Sequence, residues 1–369
     1  MTDREPDADL LAAALAFLPD MTGTRKLAGR SSLVRVEHPG GMAVVRRLPD
    51  RMTPERAAIG PAVMRALAGV APVPAPLALP DGKLTLTLRE HRYEARTWLP
   101  GETIARNAVA YPDPEVWVNL PGILPDASFG ETLAALARIH GATEGARGLP
   151  MLPAAPLDGL AGAVRGAWMD ARARLRPVIH LHPAAQRWVA ASERALPAAE
   201  ATLAAAGLET LAPSAAVHQN LWPGHVALDG DRLAGLLGWD QVAYGTPLLD
   251  VAQAAVRLRG WSAATVEETV AGYGAERVLG PEERRALPAL AAFDLVAIAG
   301  RLLVAAYAPW ENAPAPPTAL KQAAARMVEG LENATNSMAA MESPRTTGRL
   351  AGAQRRRRPM QGPGTRSRR

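Results

Sequence analysis

Residues 217–240 read VHQNLWPGHVALDGDRLAGLLGWD, and their interpretation governs that of the whole chain. Two short strands, HVALDG and RLAGLLGW, face each other across Asp229-Gly230-Asp231, a sequence suited to a tight hairpin turn. The residues before them lack any helical period and set His218, Asn220 and the pair Pro223-Gly224 in a loop. The polar groups on offer are unusual for a reactive loop. They are an amide at Asn220 and imidazoles at His218 and His225, with Gly238 and Asp240 closing the hairpin.

Upstream, KLAGRSSLVRVEHPGGMAVVRRLP reads as two strands joined at His38-Pro39-Gly40-Gly41. Residues 54–69 are helical in pattern, with an interruption expected at Gly60-Pro61. More strands follow to about residue 100, turning at Asp81-Gly82. From Phe129 onward the 3.6-residue period dominates, over 157–176, 184–206, 246–259, 263–273, 281–307 and 317–340. The expected organisation is a short N-terminal helix (1–19), a small sheet-bearing lobe (20–100), a helical lobe (101–342) containing the loop 217–240, and a disordered tail (343–369). Trp168, Trp188, Trp261 and Trp310 are expected in the helical core. The long Pro-rich stretch 107–126 is expected as a lid or docking segment.

Composition bounds the chemistry. The 369 residues are 48% hydrophobic, ample for a core, and contain no cysteine, which excludes disulfides, thiolate nucleophiles and thiolate-bound metals. Net charge is +5, but the segment from Ser343 to Arg369 holds nine arginines and no acid, so the remainder carries about −4. No apolar run is expected to reach the roughly 18 residues of a membrane span. The start, MTDREPDADLLAAALAFLP, has acids where a secretory signal is basic, so a cytoplasmic protein is expected.

The chain resembles the aminoglycoside phosphotransferase family. RSSLVRVEHPGGMAVVRRLP is similar to the family's first strands, TWLPGETI to its inter-lobe hinge, and LAALARIHG to the following helix. His218, Pro223, Gly224, Trp239, Tyr244, Gly245, Pro247 and Asp250 stand in the register of the family's loop, hairpin and next helix. The resemblance implies an α+β, bilobal, protein-kinase-like fold, with an antiparallel sheet in the small N-terminal lobe and a mainly helical C-terminal lobe. It also implies ATP and Mg²⁺ as the family's cofactors, with a loop Asp as base, a loop Asn and a hairpin Asp as metal ligands, and a strand Lys oriented by a helix Glu.

At those positions this sequence departs from the family. Asn220 stands for the base, and an amide does not take a proton near neutral pH. Gln219 replaces the glycine before it. His225 and Gly238 stand for the metal ligands, whereas Mg²⁺ prefers oxygen. Arg46 stands for the strand Lys, and no acid lies between Arg56 and Pro80 to orient it. Asp240, two residues past Gly238, is the candidate surrogate metal ligand, on the same strand face but about 6–7 Å away; the alternative is a solvated loop acid. Ser31 and Ser32 either cradle phosphate through backbone N–H groups or simply turn the strand. His218 is a candidate catalytic-site residue by position, though the resemblance implies a chiefly structural role, and Asp250 is expected as a structural cap near a helix start.

The expectation is a catalytically silent member of the fold, a pseudokinase, binding a small molecule or a protein. The alternative is an ATP-dependent hydroxyl kinase with a non-standard base and metal set. Nucleic acid is expected as a partner only through the tail run Arg355–Arg358.

Overall fold

Apolar alternation organises the N-terminal lobe. A computed structural model of the chain describes residues 7–27, 32–103, 108–111, 117–146, 149–155, 157–207, 211–308 and 315–342. Ser31, Trp310, the tail and residues 112–116 of the Pro-rich stretch lie outside them.

Helix α1 (Ala8–Phe17) starts at Asp7, whose carboxylate accepts the Asp9 N–H. Strands β1 (Gly23–Lys26), β2 (Leu33–His38) and β3 (Gly41–Arg47) precede helix α2 (Pro54–Ala66). Strands β4 (Pro76–Leu77), β5 (Thr85–Leu88) and β6 (His91–Thr97) complete an antiparallel sheet in the order β1-β2-β3-β6-β4, with β5 also on β6. Val34, Val36, Ala43, Val45, Tyr93 and Ala95 pack against Leu10, Ala13, Ala14 and Phe17 of α1. Successive residues on a strand face opposite ways, so Arg46 and Glu94, direct cross-strand partners, lie on the face away from α1.

Helix α2 runs unbroken through Gly60-Pro61, contrary to the expected interruption. The local weakness is overridden by tertiary contact. A Cβ at Gly60 would lie 3.1 Å from the Trp239 carbonyl oxygen, and Ala57, Pro61, Val63 and Met64 are buried beside it. Val63, Met64 and Leu67 thus join the large core of the helical lobe, so α2 belongs by packing to both lobes.

The chain crosses at β7 (Glu102–Thr103), followed by the small pair β8 (Ala108–Ala110) and β9 (Trp117–Asn119). Helix α3 (Asp126–Ala142), strand β10 (Ala154–Ala155) and helices α4 (Leu160–Leu175) and α5 (Pro183–Ala206) come next. Then β11 (Ala215–Val217), β12 (Val226–Asp229), β13 (Arg232–Leu236) and β14 (Ala243–Gly245) surround the loop of interest. Helix α6 (Leu248–Ala254) continues into a π-helical turn, Ala255–Arg259, and α7 (Ala263–Gly274), α8 (Pro281–Tyr307) and α9 (Thr318–Glu342) close the lobe. The expected hairpin is β12–β13, with β7 added on the outer side of β12.

One expectation about apolar runs is corrected. Helix α8 is long and apolar enough to cross a membrane by length and composition, yet 83% of its apolar window is buried within the chain. It is the central core helix, packed by α4, α5, α6 and α9. Trp188 and Trp261 are buried in the same core.

The crossing point is tight. Gly101 has φ +89°, and a Cβ there would lie 2.1 Å from the backbone oxygen of Leu228 on β12. Backbone cannot yield as a side-chain tip does. Gly101→Ala is therefore expected to lower stability by about 2–3 kcal/mol or more, read as a fall in urea midpoint at unchanged slope.

Candidate functional site

The loop 217–225 is hung from one buried carboxylate. Asp250, fully buried on α6, accepts the N–H of His218 at 2.6 Å and of Gln219 at 2.8 Å, and lies 3.1 Å from His140 Nε2. His140 in turn bonds the Tyr273 hydroxyl through Nδ1 at 2.8 Å. Burial pushes the Asp250 carboxyl up, but bonding and charge from His140, then His218 and Gln219, outweigh it and hold it below the usual carboxylate range. The expected role as a cap of its own helix is thus corrected: the N–H donors come from the loop, and no side chain caps α6. His140 lies within the family-like stretch LAALARIHG but is not singled out there, and Tyr273 gives no motif signal; His140 is 110 and 133 residues from the two groups it joins, Asp250 and Tyr273.

These bonds force the backbone at Gln219 to φ +59°, a left-handed angle. For a residue with a Cβ this costs roughly 1–2 kcal/mol, which explains why glycine suits the position better.

His218 is 1% exposed and both ring nitrogens are used. Its Nε2 lies 2.7 Å from the Leu237 carbonyl and donates to it, while Nδ1 accepts the Asn220 N–H at 3.2 Å. The partners assign a neutral ring protonated at Nε2. Its edge meets the Trp239 ring at 4.6 Å, and burial lowers its pKa. His218 fastens the loop to the end of the hairpin.

The two positions expected to hold metal occupy each other's space. His225 Nδ1 donates to the Asn220 backbone oxygen at 2.5 Å, which lays the ring over Gly238. A Cβ on Gly238 would lie 2.7 Å from His225 Cγ and Nδ1, and Gly238 has φ +81°. The Asn220 side chain has no hydrogen-bond partner among the described residues.

Arg46 reaches across the cleft from β3. Its Nε donates to Glu94 Oε1 at 2.7 Å, and its Nη1 and Nη2 donate to the two oxygens of Asp240, the first at 2.9 Å. Glu94 is 3% exposed at the side chain and Asp240 is 21% exposed, so the trio is largely shielded from water. Burial opposes the Arg46 charge, but the two carboxylates outweigh it and hold the guanidinium more firmly protonated than usual. Burial likewise raises Asp240, and Arg46, then Arg96 and His225, more than reverse this. Arg56 on α2 donates to the carbonyls of Asp240 at 2.6 Å and Val242 at 2.8 Å, which fixes the segment carrying Asp240. The orienting acid sought on the helix is supplied by Glu94 on β6; the alternation Tyr93-Glu94-Ala95-Arg96 sets Glu94 on the polar face of its strand, but the register that pairs it with Arg46 is visible only in the fold.

Ser32 is exposed in the turn before β2, its carbonyl accepting the Arg47 N–H at 2.9 Å.

The profile of the phosphotransferase enzyme family matches residues 24–292. The chain belongs to that family. Solved structures agree on the fold. A microcompartment-associated aminopropanol kinase is 15% identical with a TM-score of 0.62, covering 90% of this chain and 98% of its own. Spectinomycin phosphotransferase in complex with ADP and spectinomycin is 12% identical at TM-score 0.56, over 92% and 99% of the two chains. An aminoglycoside phosphotransferase from Alicyclobacillus acidocaldarius is 14% identical at 0.55, over 92% and 97%. No curated protein sequence matches.

The family's Mg²⁺ does not fit the residues present. Both Asp240 oxygens are on Arg46, Gly238 has no side chain, and His225 is directed at a carbonyl. Among the described residues no three His, Asp or Glu side chains converge as a metal site.

Two measurements check this geometry. Gly238→Asp alone is expected to cost about 2–4 kcal/mol, and His225→Asn in the same chain to recover at least about 1 kcal/mol, a coupling visible in a double-mutant cycle. The second concerns pH. His218 is held neutral, with its folded pKa below the unfolded value near 6.5. The unfolded state therefore takes up the proton first. Stability is full above about pH 6.5 and falls below it, by up to about 1.4 kcal/mol per pH unit for one proton. Melting curves from pH 8 to 5 should show this slope, and His218→Gln should remove that share of it.

Proposed function

We propose that this family member is catalytically silent in Mg²⁺-dependent phosphoryl transfer and serves as a binding or regulatory module. One observation carries the reading: the guanidinium of Arg46 takes up Glu94 and Asp240 together. In the family's reaction the strand cation grips phosphate and a hairpin carboxylate grips metal. Here cation and carboxylate satisfy one another. Nucleotide or metal could engage either group only by displacing the other from it, and that exchange takes up part of the binding free energy. Asn220 at the base position forgoes the roughly 10²–10⁴-fold that general-base help supplies.

The alternative, a hydroxyl kinase using His225 and Asp240, requires Asp240 to leave Arg46 and His225 to leave the Asn220 carbonyl. The ligand of the module is proposed as a small molecule or protein in the cytoplasm, with any nucleic-acid contact confined to the Arg-rich tail.

Thermal shift with ATP, with and without Mg²⁺, tests the reading. A ligand at 100 times its Kd adds about 2.7 kcal/mol, readily seen. No Mg²⁺-dependent shift is expected for the native chain, and one is expected to emerge when Arg46→Lys, Asn220→Asp, His225→Asn and Gly238→Asp are combined. ATP turnover by the native chain, lost in Asp240→Ala, would overturn the proposal.

A further inference from the structure

Between Ala286 and Ala306 every residue of α8 is buried except Asp294, Ala297 and Arg301. Spacings of three and four residues put these on one stripe of the helix. Solvent therefore reaches the central core helix along a single line, and the only two charges in that stretch lie on it. Such placement is costly for a core helix unless the charges have partners.

Asp294 has its partner. Arg257, on the π-helical turn, grips it with two bonds, Nε to Oδ2 at 2.8 Å and Nη2 to Oδ1 at 2.5 Å. π-Helical turns within α-helices occur frequently at functional sites. The Arg257 guanidinium lies 4.7 Å from the centroid of the Trp222 ring, and that of Arg301 lies 5.8 Å from it. Trp222 stands two residues after Asn220, so this charged cluster adjoins the loop. With both Asp294 oxygens held by Arg257, Arg301 has no carboxylate partner among the described residues. Two cations and one anion thus converge under an aromatic face, leaving one positive charge uncompensated. An incoming anion would relieve that imbalance.

We infer that the charged cluster of Arg257, Asp294 and Arg301 beside Trp222 binds a small molecule through an oxyanion, a carboxylate or phosphate monoester held by the exposed Arg301 fork. The planar guanidinium pairs two N–H groups with two oxygens of such a group. Ala297, small and half-buried, lies between the two charges on the same stripe. A polycation meets like charge at the same place. The inference deepens the reading of the cleft as a binding module and rests on it.

Calorimetric titration of the full chain with benzoate, phenyl phosphate and spermine tests it. At least one of the two anions is expected to bind at low salt, which also tells carboxylate from phosphate, and 1 M NaCl should weaken it. Arg301→Gln should weaken that binding about tenfold, the loss expected for a charged hydrogen bond. Arg301 is exposed, so its replacement should leave the melting curve unchanged. Binding of neither anion, equal binding by Arg301→Gln, or tighter binding of spermine overturns the inference. ATP turnover measured on the same preparation decides the silent reading separately, because Arg301 touches neither Arg46 nor Asp240 in the ion pair that carries it.

Discussion

A carboxylate sealed from water must be answered by donors, and the rest of the site follows from how Asp250 is answered. Two loop N–H groups and His140 surround it. This fixes the backbone at His218 and Gln219, and the His218 ring then fixes Leu237 at the end of the hairpin. From there the chain is led through Gly238 to Trp239, on which α2 packs, and to Asp240, which meets Arg46 of the other lobe. One buried charge thereby sets the relation between loop, hairpin and N-terminal lobe. Removing it would leave two N–H groups without partners in a dry interior, a larger loss than that of the bonds themselves.

The two halves of the site behave differently. The residues that shape the loop keep partners that hold it: His218 on Leu237, Asp250 on the loop, Trp239 under α2. The residues standing where phosphate and metal would be handled have instead turned to one another. Arg46 holds Asp240, and His225 covers Gly238. The cleft is internally neutralised rather than merely emptied, which is why single substitutions there act through stability as well as through binding.

Much of this was legible in the chain. The Asp229-Gly230-Asp231 turn, the periodic helices and the register from His218 to Asp250 located the loop, because local sequence dictates turns and helical faces. The break expected at Gly60-Pro61 failed because a contact 179 residues away, with Trp239, outweighs local propensity. The turn between β5 and β6 is made by Arg89 at φ 55°, with no glycine to announce it. The ion pair of Arg46 with Asp240 spans 194 residues, and only the folded register reveals that two charges read separately are one unit. The same holds for the stripe on α8, whose exposure depends on how α4, α5, α6 and α9 pack around it.

The fit of His225 over Gly238 also constrains what these two positions can hold together. While the imbidazole lies there, position 238 admits glycine alone, for want of space and for its left-handed backbone angle. A carboxylate side chain fits at 238 only once the ring is smaller or elsewhere, and removing the ring alone leaves a cavity beside a glycine. The two positions therefore act as one packing unit, and a change at either is felt first at the other.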